Sequence, residues 1–396
     1  MRDSNVFTLL IKATCLIPIA VVFGGASALA QLRAQNTTNG MSPAAHAYLD
    51  KALCAMEQHS MRRREIDWSA LRRTAFEMAA SAQNTRDTYD AIRWAVKEMS
   101  DGHSFFSTPT DNATLNIEEK STGSTSTPAV KQTSAIVPEP SKTKTKTISG
   151  AGWVVASSAE DLRGEVIAGA IDGTRTKIGY ILLPSFGGQE SLDPARATAF
   201  ANSVHDQIRH LEGQGATDWI VDLRYNSGGN MWPMLAGIGP LLGAGRVGAF
   251  TAVEESPVAW EYKDGASGTP GSVSIAVANP YTLKNPSTRV AVLIGKYCTS
   301  SGEAIAVAFR GRERSRLFGK PTGGATTSTQ SVWMGDGAIL FVTNAVFVDR
   351  KGTVYGGKLT PDEFVAGSPD ELAIPAPRLQ DDAGVLAALS WLQQEQ

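Results

Sequence analysis

The stretch VAVLIGKYCTSSGEAIAVAFRGR, Val290 to Arg312, joins a short apolar run to a second apolar run through a polar turn. The first run has the character of a strand buried in a sheet, and the second has the spacing of a helix. Thr299, Ser300 and Ser301 lie between them, where the helix would begin. A strand that leads directly into a helix is the repeating unit of an α/β domain, so this stretch predicts the fold class.

The neighbouring segments alternate in the same way. KIGYILLPSF (Lys177–Phe186) and DWIVDLR (Asp218–Arg224) predict strands, and an amphipathic helix is predicted between them at Asp193–Glu212. Three further elements are predicted downstream: strands at Val247–Val253 and Ala338–Asp349, and a helix at Ala383–Leu392. We therefore assign residues 151–396 to one layered α/β core.

The first residues have the pattern of a secretory signal. Basic Arg2 and Lys12 precede an apolar run, and Ala28 and Ala30 are spaced as a cleavage site, so residues 1–30 are predicted to be a signal peptide. A retained membrane anchor is the alternative, because the apolar run approaches spanning length. With the signal removed no membrane span is expected, and the protein would be secreted or periplasmic.

Two segments of different composition follow the signal. Apolar residues recur at helical spacing over 42–100 and predict a small helical domain at residues 31–106, which ends where Asp101 and Gly102 break the last helix. Residues 107–150 are rich in Ser, Thr, Lys and Pro and predict a linker or an exposed loop.

Composition excludes several classes of function. A hydrophobic fraction of 42%, a charged fraction of 19% and a formal net charge of -2 indicate an ordinary globular protein without affinity for nucleic acid. No CxxC or HExxH pattern is present, so neither a metal nor another cofactor is predicted. Cys54 and Cys298 remain after signal removal, and one disulfide or two free thiols are both possible.

Ser300 allows two interpretations. Ser300 and Glu303 have the spacing of a capping box, which is a structural feature. The capping interpretation is the stronger on this pattern alone, but a serine at a helix N-terminus is also electrostatically favoured as a nucleophile, because free amides and the positive end of the dipole stabilise developing negative charge. The turn DLRYNSGGN (Asp222–Asn230) ends a neighbouring predicted strand, and its paired glycines could direct amide donors to the same point.

A serine nucleophile also needs a base. His103 lies in the chain break DGHSFF, whereas the other four histidines fall in predicted helices, where solvated or core-edge positions are expected: His46, His59, His205 and His210. Lys320 and Lys296 are weaker alternatives. A lysine base requires a depressed pKa, and Lys320 lies in a polar loop that would not lower its pKa.

Five motifs together resemble the tail-specific, or C-terminal-processing, serine peptidases of family S41 and their tricorn-like relatives. They are DGHSFF, DLRYNSGG, TSSGEA, FGKPTGG and DGAILFVTNAVFVDRKGTVYGGKLTPDEF, and the resemblance is nearly continuous from Lys177 to Phe364. It implies a crotonase-like or ClpP-like α/β core, a peptide or protein substrate and an acyl-enzyme mechanism.

The resemblance also implies roles for individual residues. Ser300 matches the nucleophile, with Ser301 as the fallback one position on. The oxyanion hole falls on the amide of Ser301 and on that of Gly228 or Gly229. His103 matches the histidine of the tricorn-like branch.

The sequence departs from the family pattern at three places. The lysine of the Ser-Lys branch is replaced by Ala325, which excludes that dyad in its usual register. The serine before the histidine is replaced by Gly102, and no glutamate lies between Tyr355 and Pro361. The group that orients His103 is therefore unidentified, with Asp349 and Asp362 as candidates.

The third departure is that residues 107–150 are too poor in apolar residues to form a PDZ domain. A non-catalytic peptide- or ligand-binding protein on the same scaffold is the alternative to a peptidase.

Overall fold

The computed structural model describes residues 40–109, 167–171, 177–187, 191, 193–252, 255–368 and 379–394. The predicted signal peptide and nearly all of the predicted linker lie outside these residues. Within the described ranges, no helix combines the length and apolar character that crossing a membrane requires.

The N-terminal segment is helical, as predicted. It contains α1 (Pro43–His59), α2 (Trp68–Met78) and α3 (Tyr89–Glu98). Polar side chains cap the first two helices: Ser42 accepts a hydrogen bond from the Ala45 amide, and Asp67 accepts one from the Ala70 amide. Such caps satisfy amides that have no partner inside the helix.

The first sheet forms the layered α/β core predicted from the sequence. Its strands, in spatial order, are β14 (Glu363–Phe364), β10 (Ser315–Gly319), β9 (Val290–Ile294), β4 (Ala216–Asp222), β3 (Lys177–Leu182) and β2 (Ile167–Ile171). All neighbours are parallel except β2 and β3, which are antiparallel. Three helices pack on one face: α4 (Pro194–Gly213), α5 (Met231–Leu242) and α6 (Ser301–Phe309). Helix α7 (Ala383–Gln393) covers the opposite face.

The second sheet is antiparallel, and only two of its strands were predicted. It contains β1 (Phe105–Ser107), β5 (Gly245–Thr251), β6 (Val258–Lys263), β7 (Ala266–Thr269), β8 (Ser272–Ala276), β11 (Thr327–Trp333), β12 (Ile339–Val348) and β13 (Val354–Tyr355). Strands such as β7, with sequence ASGT, carry no hydrophobic alternation that marks them as strands. Their pairing with neighbours, rather than their own sequence, makes them strands.

The N-terminal helices and the β11–β12 hairpin share one hydrophobic core. Leu340 and Val342 of β12 pack among the buried residues of α1 to α3. The hydroxyls of Tyr48 and Tyr89 each donate a 2.7 Å hydrogen bond to the Asp336 carboxylate in the hairpin. The loop that carries His103 follows α3 and continues into β1, so this shared core positions that loop against β12.

Candidate active site

Ser300 occupies a sharp turn between β9 and α6. Its backbone angles are φ 52° and ψ −121°, in a region that residues other than glycine rarely adopt. A serine on such a strained strand-to-helix turn exposes its Oγ at the end of the sheet, as in the nucleophile elbow of α/β hydrolases. Ser300 is half-buried and heads the first turn of α6, where the helix dipole favours negative charge.

The glycine turn after β4 packs directly against the Ser300 turn. A Cβ on Gly228 would lie 2.9 Å from the Ser300 Cβ, so no side chain fits between the two turns. The Thr299 amide donates to the Asn226 carbonyl at 3.0 Å, and the Thr299 hydroxyl donates to the Ser227 carbonyl at 2.9 Å. The two turns predicted to meet at the ends of adjacent strands are therefore in contact.

The backbone amides at this contact differ in whether they have a hydrogen-bond partner among the described residues. The Gly228 amide donates to the Asn226 side chain at 3.0 Å and is therefore occupied. The amides of Gly229 and Ser301 take part in no hydrogen bond among the residues that the structure describes. Of the two glycines considered from the sequence, Gly229 is thus the one whose amide has no hydrogen-bond partner among the described residues.

Ser301 and Ser300 differ in what their hydroxyls do. The Ser301 side chain is buried, and its Oγ donates a 2.6 Å hydrogen bond to the Gly229 carbonyl. This bond ties the first residue of α6 to the glycine turn. Ser301 is thereby engaged in structure, which leaves Ser300 as the better placed nucleophile of the two.

Glu303 combines capping with a second structural task. Its fully buried carboxylate accepts the Ser300 amide at 3.0 Å, which is the glutamate half of a capping box. It also accepts the amides of Gly324 at 3.0 Å and Ala325 at 2.7 Å, and the Thr322 hydroxyl. Burial raises the pKa of Glu303, and the hydrogen bonds it accepts oppose that rise. Glu303 therefore attaches the segment after β10 to the nucleophile turn.

His103 is held in place by its own loop. The Asp101 carboxylate accepts the amides of His103 at 3.0 Å and Ser104 at 2.8 Å, which closes an Asx-type turn. The Ser104 Oγ accepts the Thr343 amide of β12 at 2.9 Å. Burial lowers the pKa of His103, while the charge of Asp101 partly offsets this effect. The lowered pKa favours the neutral form of the imidazole, which is the form that a general base requires.

The ring of His103 contacts Thr327. Its Nδ1 lies 2.6 Å from the Thr327 Oγ1, at the start of β11. Thr327 follows Ala325 by two residues, and the Ala325 amide binds Glu303, which in turn binds the Ser300 amide. Three hydrogen bonds and the short chain segment from Ala325 to Thr327 thus connect the histidine loop with the serine turn.

The carboxylates considered as orienting groups are engaged elsewhere. Asp349 accepts the Lys351 amide at 2.8 Å and the Tyr355 hydroxyl at 2.9 Å in the turn between β12 and β13. Asp362 pairs with Arg310 and accepts the Leu317 amide at 2.7 Å. The residue that contacts the histidine is Thr327, which sequence reasoning missed because a lone threonine has no motif.

The structure also bears on the predictions made for two histidines and two cysteines outside this site. His205 was expected at the solvent or the core edge, but its side chain is 1% exposed, and its two ring nitrogens have no hydrogen-bond partner within the described part of the chain. His210, on the same helix, is exposed as expected. Cys54 and Cys298 are free thiols, the first exposed and the second buried, so they do not form a disulfide.

The fold and this turn define a layered α/β protein with a serine at a strand-to-helix elbow. The model of a family of such proteins, peptidase family S41, matches residues 177–365 of this chain. The expected crotonase-like or ClpP-like α/β core with a helical N-terminal segment is confirmed.

Two curated relatives align with part of the chain. The nisin-resistance protein of Lactococcus lactis subsp. lactis is 33% identical over 187 residues, which are 46% of this chain and 54% of that protein. The chloroplastic carboxyl-terminal-processing peptidase 2 of Arabidopsis thaliana is 30% identical over 169 residues, 43% of this chain and 28% of that protein. The aligned region therefore spans 54% or less of these relatives.

A solved structure extends the likeness over most of the chain. A lipoprotein from Streptococcus agalactiae superposes with a TM-score of 0.63 at 16% identity, covering 89% of this chain and 96% of that one. At this level of identity the likeness concerns the fold alone.

Proposed function

We propose that this chain is an exported serine peptidase that hydrolyses peptide bonds through an acyl-enzyme. The observation that carries the proposal is the strained backbone of Ser300 at the start of α6, beside two amides that have no partner among the described residues. Backbone strain is retained where the surrounding structure enforces it, and it concentrates at active sites. The match of residues 177–365 to the model of peptidase family S41 supports the same reaction class.

The proposed chemistry begins with Ser300. Its Oγ attacks the carbonyl carbon of the substrate while its proton passes to the Nε2 of His103. The carbonyl electrons move to the oxygen, which then accepts hydrogen bonds from the amides of Gly229 and Ser301. The intermediate collapses, the C–N bond breaks, and His103 gives its proton to the leaving amine. Water then attacks the ester that joins the acyl group to the Ser300 Oγ, with His103 again taking and returning the proton, and the carboxylic acid product is released.

Export and branch assignment belong to the same proposal. The signal pattern of residues 1–30 supports a secreted or periplasmic location. Ala325 in place of a lysine, together with His103 in its ordered loop, supports the tricorn-like branch. The substrate is a peptide or protein. The name of the Lactococcus relative makes nisin a first peptide to assay.

A fluorophosphonate probe tests the proposal without knowledge of the substrate. We expect the purified protein to be labelled, and mass spectrometry to place the label on Ser300. Ser300→Ala should abolish labelling, whereas Ser272→Ala, a change at an exposed serine of β8, should retain it. Absence of labelling in a folded wild-type protein would favour the non-catalytic binding protein instead.

A further inference from the structure

We infer that Thr327 is the positioning residue of this site: its hydroxyl accepts a hydrogen bond from the Nδ1–H of His103, so that Nε2 carries the lone pair that takes the proton of Ser300. The inference rests on the proposed function, in which His103 is the base. It supplies the orienting group that the family's usual glutamate does not provide in this chain.

The geometry of the contact supports this role. The 2.6 Å separation between His103 Nδ1 and Thr327 Oγ1 is a short hydrogen bond. Thr327 is 6% exposed, so water competes little for its hydroxyl. As a β-branched residue in a strand, threonine has few side-chain rotamers, which keeps the oxygen in one place.

The backbone around Thr327 is fixed from several sides. Thr327 pairs with Val346 in the register of β11 and β12. The preceding residue, Thr326, accepts the Phe347 amide at 3.0 Å and donates its hydroxyl to the Gly357 carbonyl at 2.7 Å. Upstream, Ala325 is bound to Glu303. Residues 322–327 therefore form a rigid bridge between the nucleophile helix and the histidine.

The choice of tautomer follows from what each ring nitrogen must do. A neutral imidazole carries one proton, and the nitrogen without it is the base. If Thr327 donated to Nδ1, the proton would sit on Nε2, and that nitrogen could not accept from Ser300. Only the arrangement in which Nδ1–H donates to Thr327 leaves the lone pair on the nitrogen that does not contact Thr327.

A threonine differs from a carboxylate in its effect on basicity. A hydroxyl fixes the tautomer but adds no negative charge to stabilise the imidazolium. Asp101 is the charged group whose field acts on the ring, and Arg93 and Lys97 of α3 line the cavity beside its loop. Burial already lowers the pKa of His103. Because a general base works in its deprotonated form, a site with Thr327 should reach full activity at a lower pH than a site with a carboxylate at the same position.

The first test measures the tautomer itself and does not depend on catalysis. In Ser300→Ala protein labelled with ¹⁵N-histidine, we expect a protonated Nδ1 and an unprotonated Nε2 for His103 at pH 8. Adding Thr327→Val should produce a mixture of tautomers, and Thr327→Ser in its place should restore the original spectrum. A dominant Nε2–H tautomer in the protein that retains Thr327 would overturn the inference.

The second test measures the rate of fluorophosphonate labelling between pH 5 and 9. We expect Thr327→Val to slow labelling about 10²-fold or more, on the scale of general-base contributions, and Thr327→Ser to remain within about threefold of wild type. Thr327→Asp should shift the increase in labelling rate to higher pH, because a carboxylate beside the ring raises the pKa of His103. Circular dichroism and thermal unfolding establish that each variant is folded.

The outcomes separate the inference from the proposed function. Equal labelling rates for the wild-type protein and the Thr327→Val variant would refute the positioning role while leaving the peptidase proposal intact. Failure of wild type to be labelled would remove both the peptidase proposal and the catalytic meaning of the contact. In that case the tautomer measurement still reports whether the hydrogen bond is formed as stated.

Discussion

Gly228 and Ser300 are in such close contact that a methyl group on Gly228 would lie 2.9 Å from the Ser300 Cβ and 3.0 Å from the Ser301 amide nitrogen. The Gly228 backbone also has φ 104°, a conformation that favours glycine. The turn after β4 and the turn before α6 therefore constrain each other, and the position of Ser300 depends on the absence of a side chain at residue 228.

Gly228→Ala should therefore displace the nucleophile turn. We expect a loss of fluorophosphonate labelling of about 10²-fold or more, because a shift of about 1 Å has that effect on positioned groups. Gly245→Ala is the matched control, since Gly245 has φ 108° and no atom within 4 Å of an added Cβ. The control should cost about 1–3 kcal/mol of stability from backbone strain but leave labelling unchanged. Equal labelling of both variants would contradict the packing argument.

Burial of His205 predicts acid sensitivity of the fold. Burial lowers the pKa of His205 from 6.5 to about 4, with the nearby charge of Arg209 acting in the same direction. The unfolded chain binds a proton at this histidine near pH 6.5, whereas the folded protein does so only near pH 4. Above about pH 6.5 His205 is neutral in both states, so it adds no pH dependence to the free energy of unfolding. As the pH falls from about 6.5 to 4, only the unfolded chain gains the proton, and the free energy of unfolding falls by about 3 kcal/mol in total.

Urea denaturation at pH 7.5 and pH 5 measures this effect. His205→Leu should flatten the pH dependence of the free energy of unfolding relative to wild type. His210→Leu, an exposed change on the same helix, should leave the slope as it is. Identical slopes for wild type and His205→Leu would show that this histidine is protonated equally in both states.

The buried ion pair between Arg224 and Asp382 should stabilise the docking of α7. The Arg224 Nη1 lies 2.7 Å from the Asp382 Oδ2, and both side chains are almost fully buried. Asp382→Asn keeps an oxygen that can cap α7, but among the described residues it leaves Asp222 as the one carboxylate paired with Arg224. We expect a loss of about 3–5 kcal/mol, as when a buried pair loses one partner.

An exposed pair provides the comparison for this variant. Arg316 and Glu363 are 3.2 Å apart with both side chains partly exposed, so Glu363→Gln should cost about 1 kcal/mol or less. Thermal unfolding of both variants distinguishes these magnitudes. If Asp382→Asn were no more destabilising than Glu363→Gln, the buried pair would have little role in holding α7.

Sequence reasoning succeeded where the determining interactions are local. The helix start at Ser300, the strand before it and the glycine turn after β4 all follow from periodicity and cap chemistry within a few residues. The second sheet was largely missed because strands such as β7 have no alternation of their own and form by pairing with distant segments. The buried position of His205 was missed because the apolar pattern of a helix shows which face is buried, but not how far neighbouring elements cover the residues at the border of that face.

By itself the sequence determined the α/β core and placed Ser300 at a strand-to-helix junction, because residues adjacent in the chain decide both. Only the tertiary structure decided that the Gly228 amide is bound to the Asn226 side chain, and that Thr327 contacts His103 across a separation of 224 residues. Such contacts depend on how β11, β12 and the N-terminal helices pack together. Hydrophobic periodicity records that a residue is buried, but it does not record which distant residue lies beside it.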